Sequence, residues 1–279
     1  VSGRLAVVGT PIGNLGDLSS RAVEVLNEAD VIACEDTRRT GRLLAAAGVP
    51  RTDLVVVNDH TEARASAGLV ARLRGGEVVA LVSDAGMPAV SDPGAELVAA
   101  AVAAGIEVVV VPGPTAATAA LAASGLPSGR WVFEGFLARK GSARTERLAA
   151  VAAEQRTVVL YEAPHRVVRT ISDLLDVCGP DRPLVLAREI TKLHEEFFRG
   201  TLASASTWLE EHEPRGEFVV VVGGGDPPAE ATEEELRAAI AEAKAEGAST
   251  RDAVAAVARD LGAPKRRVYE LATGTRDGE

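Results

Sequence analysis

Along the first 115 residues, short apolar runs rich in Val, Ile, Leu and Ala recur at residues 4–9, 31–34, 54–57, 78–82 and 107–111. Each is bounded by small or polar residues, and the stretches between them carry helical spacing. A continuous apolar run of this length fits a strand buried on both faces, and strands alternating with helices predict a parallel, doubly wound sheet. Helices are expected at residues 19–29, with Ser19 or Ser20 as cap and Ala22, Val25 and Leu26 inward, at 40–47 ended by Gly48, and at a segment running to Arg74. Another opens at Ser91-Asp92-Pro93-Gly94.

From Trp131 the pattern changes. Apolar runs at 131–134, 157–161, 184–187, 195–201 and 217–222 are separated by helical segments at 142–154, 165–177 and 204–211. The last two runs are joined by one short helix, which predicts a mixed sheet. Gly223-Gly224-Gly225-Asp226-Pro227-Pro228 reads as a linker. Beyond it, segments 232–245, 250–261 and 265–272 have helical periodicity, with a Gly262-Ala263-Pro264 turn before the basic Lys265-Arg266-Arg267. That is the outline of a helix-turn-helix with a basic second helix, or of a plain helical cap. The expected division is an N-terminal α/β domain over 1–114, a second over 115–225 and a helical domain over 226–279.

Composition narrows the picture. With 47% hydrophobic but only 3% aromatic residues in 279, the core must be built from aliphatics. The net charge of −10 argues against a surface coated by nucleic acid, leaving room for a local basic patch. Cys34 and Cys178 lie far apart, and neither a metal-ligand spacing nor an HExxH, GxSxG or GxxxxGK[ST] motif occurs, so no metal is expected. No 18-residue apolar run and no basic-then-apolar leader is present, which predicts a cytoplasmic protein away from membranes.

Candidate chemistry lies in the loops after the strands, the edge at which open α/β sheets bind ligands. One is the small-residue loop Ser83-Asp84-Ala85-Gly86-Met87-Pro88; others are the charged clusters at residues 35–39, 162–166 and 187–192. Taken singly, each charged cluster is equally an ion pair or a helix cap.

Taken in order, GTPIGNLGD, EDTRRT, LVSDAGMPAVSDPG, PGPTA, EGFLARKG, YEAPHR, AREITKLHEEFFRG and PRGE resemble the ribosomal RNA small subunit methyltransferase I family of the tetrapyrrole methylase superfamily. The resemblance runs from about Leu5 to Gly223, and the helical tail is similar to that family's appended domain. It implies two α/β domains with S-adenosylmethionine in the cleft, a homodimer, and methylation of a cytidine ribose 2′-hydroxyl of the small-subunit RNA near the decoding centre. It also implies a cofactor site at Pro11, Ser83, Asp84, Ala85, Gly86, Met87, Thr115, Ala116 and Ala187, with Met87 standing where Thr is more usual. A small-molecule methyltransferase, acting for example on a corrin precursor, and a ligand-sensing DNA-binding regulator are the rival readings.

Methyl transfer from a sulfonium needs alignment and removal of a proton from a weak acid, and no metal. Glu189 and Asp36 are the first candidates for the base, ahead of His165 and Lys192. An arginine beside Glu189 would lower its pKa and weaken it. The basic surface for RNA, or for an assembled small subunit, is expected from Arg38, Arg39, Arg139, Lys140, His165, Arg166, Arg188, Lys192 and Arg199, and from Lys265, Arg266 and Arg267 in the tail.

Overall fold

The computed structural model describes residues 3–50, 53–58, 60–226 and 231–274. Asp59 and, in the expected linker, Pro227 and Pro228 lie outside them. The chain divides into two compact units, Val1–Gly225 and Asp226–Glu279.

The first sheet contains β1 (Arg4–Val8), β2 (Val31–Cys34), β3 (Asp53–Val56), β4 (Val78–Leu81) and β5 (Glu107–Val111) in the order β3-β2-β4-β1-β5. All its pairings are parallel. Helices α1 (Ser20–Glu28) and α2 (Thr37–Ala46) cover one face, packing Ala22, Leu26 and Leu44 on Val8, Ile32 and Cys34. Helices α3 (Glu62–Arg74) and α4 (Ala95–Ala103) cover the other, with Leu69, Leu73 and Leu97 on Leu5, Val79 and Leu81. The neighbours β1 and β4 therefore send their connections to opposite faces, which opens a crevice at their C-terminal ends.

Helix α2 begins three residues earlier than the apolar spacing suggests. Asp36 is its N-cap, accepting from the Arg38 N–H at 2.7 Å, so Thr37, Arg38 and Arg39 form its first turn.

The second sheet is mixed. It contains β6 (Trp131–Phe136), β7 (Thr157–Glu162), β8 (Pro183–Arg188), β9 (Glu196–Thr201) and β10 (Phe218–Val222) in the order β6-β7-β10-β8-β9. Only β6 and β7 run parallel; the other pairs are antiparallel. On one face lie α6 (Ser142–Ala153), α7 (Pro164–Cys178) and α8 (Leu202–Glu211), packing Leu148, Ile171 and Leu202 on Leu160, Leu186 and Val220.

The opposite face is covered by α5 (Ala116–Ser124), a helix that the apolar pattern does not reveal. Its sequence, AATAALAAS, has almost no contrast between its sides. It packs Ala117, Ala120 and Leu121 on Val159, Val185 and Val221. Ile12, from the loop after β1, joins the same apolar cluster, so the two sheets share a core at this point.

The separate C-terminal unit is three helices, α9 (Glu233–Ala245), α10 (Thr250–Asp260) and α11 (Lys265–Thr273), around Leu236, Ile240, Val254, Val257 and Val268. Thr232 and Glu235 form a capping box on α9, and Ser249 caps α10.

Candidate active site

The floor of the site comes from three strand ends. Thr10 and Gly86 exchange both backbone hydrogen bonds, at 2.9 and 3.1 Å, which ties the loop after β1 to the loop after β4. The Thr10 hydroxyl also donates to the Ser83 carbonyl at 3.2 Å, and the Ser83 hydroxyl donates to the Gly86 carbonyl at 3.2 Å. Gly9 and Gly113 bring the ends of β1 and β5 together. A Cβ on Gly9 would stand 2.5 Å from the Gly113 nitrogen and 2.7 Å from the Met87 sulfur, so only glycine fits. Thr115 then caps α5 through its hydroxyl.

Above this floor lies a cavity of about 470 Å³, roofed by the second sheet. Asp84, Gly86 and Asp92 line it from one side, and Tyr161, Glu189 and Val219 from the other. A second cavity of about 430 Å³ reaches Pro11, Leu15, Arg42 and Leu43. The two share a wall formed by Ile12, Arg39, Asp84, Ala85, Lys192 and Glu217.

Carboxylates dominate the first cavity, and their environments differ. Asp84 pairs with Arg39 at 3.4 Å, and burial pushes its pKa up against that pairing. Glu189 accepts from Lys192 Nζ at 2.8 Å and from the Glu217 N–H at 2.9 Å. Burial raises its pKa, but Lys192, that N–H and Arg188 outweigh burial and leave it below the usual glutamate value. Lys192 also donates to Glu217 at 2.9 Å, and its pKa lies above the usual lysine value: burial lowers it, and the two carboxylates more than compensate. Glu162 is buried under Arg166 at 3.1 Å and accepts from the Thr170 hydroxyl at 2.6 Å. Behind it, Arg144, only 4% exposed, bonds Asp173, Thr170 and the Ala138 carbonyl. Asp92 has no cationic partner among the described residues. Its pKa is raised to about 6, by burial first and then by the charge of Glu35, with Asp84 and Glu217 adding; the Ser83 hydroxyl opposes the shift.

Left-handed backbone in residues other than glycine is concentrated here. Ala89, Ser91, Glu189 and Thr191 have φ of 66°, 62°, 52° and 67°. Two flank the Asp92 loop and two lie in the Glu189–Lys192 turn, so both walls hold backbone that costs free energy.

Of the residues expected at a cofactor site, Asp84, Ala85, Gly86, Met87, Thr115 and Ala116 line the first cavity. Pro11 and Ser83 line the second. Ala187 lines neither. It is fully buried in β8 beneath α5, because its side chain points into the apolar cluster rather than toward the strand end.

Of the two expected bases, Glu189 lines the first cavity as a paired carboxylate of depressed pKa, and Asp36 lines neither cavity. Asp36 is occupied as a helix cap, and the Arg38 hydrogen bonds lower its pKa.

Several basic residues have structural work. Arg166 holds Glu162 and the Leu137 carbonyl; Arg188 pairs with Glu196 at 3.4 Å; Arg199 donates to the Ala123 carbonyl at 2.6 Å and lies over the Phe197 ring. Arg38 bonds the Asp36 carboxylate and is itself largely exposed. His165 lines the first cavity, while Arg39 and Lys192 line both. Arg139 and Lys140 are exposed on the turn after β6, away from both cavities. Lys265 and Arg266 are exposed at the start of α11, Arg266 pairing with Glu270 at 2.8 Å, and Arg267 is half-buried there.

The residue pattern did not single out Asp92, Phe136, Tyr161, Glu217 or Arg42, which all line the cavities. Asp92 repeats the Ser-Asp step of Ser83-Asp84. Arg42 lies one helical turn after Arg38 and Arg39, a spacing that puts it on their face.

Residues 4–206 match the family model described as Tetrapyrrole (Corrin/Porphyrin) Methylases. A ribosomal RNA small subunit methyltransferase I from Synechocystis sp. is 46% identical over 96% of this chain and 97% of its own length. Its namesake from Bacillus subtilis is 40% identical over 96% and 93%. Among solved structures, uroporphyrin-III-C-methyltransferase from Thermus thermophilus is 30% identical with a TM-score of 0.56, over 79% of this chain and 94% of that one. The methyltransferase CobJ is 25% identical with a TM-score of 0.62, over 80% and 95%. A parallel sheet and a mixed sheet closing on a cavity, together with these similarities, define the class: the chain belongs to the tetrapyrrole methylase family and, within it, groups with the ribosomal RNA small subunit methyltransferases I.

Proposed function

We propose that this S-adenosylmethionine-dependent methyltransferase transfers its methyl group to the 2′-hydroxyl of a cytidine in small-subunit ribosomal RNA. The observation that carries this reading is the pair of cavities meeting at one wall, an arrangement that lets donor and acceptor enter separately and meet.

The first cavity fits the donor. Its volume is that of a small-molecule site, and its carboxylate excess suits a ligand bearing sulfonium and ammonium charges. Ile12, Met87, Val90 and Phe136 supply apolar surface for a purine, with Val90 and Phe136 left 52% and 54% exposed. At Gly86, φ is 92° and an added Cβ would meet Ile12 and the Pro114 carbonyl at 3.3 and 3.4 Å, so glycine keeps this floor open. When bound, the donor supplies an activated methyl group.

Arg39 and Arg42 at the second cavity are placed for backbone phosphates, while Leu15, Leu43 and Pro11 offer a face for a base. The role of the residues on the shared wall is to hold donor and ribose in line, with water kept out by the second sheet.

The division into domains follows the same logic. Residues 1–114 form the floor, 115–225 the roof, and the helices of 226–279 an RNA-contacting appendage carrying Lys265, Arg266 and Arg267. A homodimer in the cytoplasm completes the proposal. Among the described residues no helix is long and apolar enough to cross a membrane.

The direct test incubates the protein with labelled donor and either small ribosomal subunits, their naked RNA, or a corrinoid, followed by nucleoside mapping. Label in a 2′-O-methylcytidine supports the proposal, and label confined to the corrinoid sinks it.

A further inference from the structure

We propose that Asp92 is the group that removes the proton from the acceptor hydroxyl, an inference that rests on the ribose reading above. The carboxylates of the donor cavity differ in what each is already bonded to. Asp84 is held by Arg39, Glu162 by Arg166 and Thr170, Glu189 and Glu217 share Lys192, and Glu35, the remaining acid of the lining besides Asp92, is engaged as well. A carboxylate held this way is a poor proton acceptor, because protonation would break its ion pair. Asp92 lines the same cavity, and its side chain is hydrogen-bonded by the Ser83 hydroxyl.

The position is built. The Asp92 segment leaves the floor through left-handed backbone at Ala89 and Ser91 and returns at Gly94, whose φ is 122°. A Cβ on Gly94 would stand 2.7 Å from Leu81. Buried Glu62 of α3 accepts from the N–H groups of Gly94 and Glu96 at 2.9 and 2.8 Å, which fixes that return. The charges acting on Asp92 come from Glu35 after β2, Asp84 after β4 and Glu217 before β10; Tyr161 of β7 feels Asp92 in turn. Asp84 and Glu217 line both cavities, so Asp92 lies in the first cavity within electrostatic reach of the wall that the two share.

The chemistry balances there. The ribose oxygen forms the new C–O bond while the C–S bond breaks with its electron pair going to sulfur, and the hydroxyl proton passes to the Asp92 carboxylate. One positive and one negative charge disappear together in a partly desolvated site. Burial first, and then the surrounding acids, push the carboxylate upward and make it a better base than an exposed aspartate.

The test uses the full chain, small ribosomal subunits and the isosteric Asp92→Asn variant, with S-adenosylhomocysteine titration as the binding control. Single-turnover methylation should fall by about 100-fold or more, the usual range for losing a general base. Product affinity should stay within about threefold, a small change on the free-energy scale. In the wild type, kcat/KM should rise with pH and level off above about 6, and the variant should lose that limb. An Asp92→Asn rate equal to wild type, a retained limb, or loss of S-adenosylhomocysteine binding each overturns the role of Asp92. A wild-type enzyme that leaves the ribose unmethylated overturns the ribose reading, and this role with it.

Discussion

Glu62 caps a helix to which it does not belong. One oxygen of its buried carboxylate accepts from the N–H groups of both Gly94 and Glu96, at the start of α4, while Glu62 itself opens α3. Gly94 has no side chain to do this, and its backbone conformation admits little else. Glu62→Ala should therefore cost about 1–3 kcal/mol, the range for a charged hydrogen bond combined with a lost cap. Glu62→Gln keeps an acceptor and should cost clearly less. Urea unfolding measures both, and a Glu62→Ala variant as stable as wild type would show that the cap is immaterial.

Gly216 stands against Glu189. Its φ is 74°, and a Cβ there would lie 2.3 Å from Glu189 Cγ. Gly216→Ala should lose at least about 1 kcal/mol from the left-handed conformation alone. It should also displace Glu189 from Lys192 and slow methyl transfer. A variant of unchanged stability and rate would mean that the turn re-forms without the glycine.

Asp92 should tax stability while serving the reaction. Its pKa is raised in the folded protein, so between the ordinary carboxylate range and about pH 6 the native state holds a proton that the unfolded chain has released. The resulting stabilisation is complete below the unfolded pKa and is lost as pH rises through about 6. Asp92→Asn should thus match wild type at low pH and exceed it at pH 7.5 in thermal unfolding. The opposite order at pH 7.5 would mean that the carboxylate has a stabilising partner.

Arg42 is exposed at the mouth of the second cavity, with no acidic partner among the described residues. Arg42→Gln should weaken RNA binding and reduce the slope of log affinity against log salt by about 1, the signature of one phosphate contact. Affinity for S-adenosylhomocysteine should not change. An unaltered salt slope would remove Arg42 from the RNA path.

The helical unit beginning at Asp226 is compact by itself. Deleting residues 226–279 should leave S-adenosylhomocysteine binding intact and weaken the affinity for small subunits. Undiminished subunit affinity would assign the tail another purpose.

The two sheets were legible because aliphatic runs such as those at β4 and β10 have few other ways to be buried. Helix α5 was not, since AATAALAAS lacks the polar side that marks an amphipathic helix. Short-range chemistry was ambiguous: the acid and arginines of EDTRRT read equally as a catalytic cluster or as a cap and ion pair, and Asp36 and Arg38 form the latter within two residues. Glu62 and Gly94 lie 32 residues apart, and no spacing rule links them. Asp92 reads as an ordinary turn residue until the second sheet covers it. The absence of a cationic partner among the described residues, which separates Asp92 from the paired acids around it, is a property of the assembled fold.

The Thr10–Gly86 exchange has a consequence for product release. With both hydrogen bonds made, the loops after β1 and β4 form one piece, so the floor cannot part between them without breaking the pair. Opening must separate floor from roof, and the roof's Lys192, held by Glu189 and Glu217, lies there over Gly13 of the loop after β1. The packing of Lys192 on Gly13 is then a contact that release of the spent donor has to part, while the lysine's ion pairs travel with the roof.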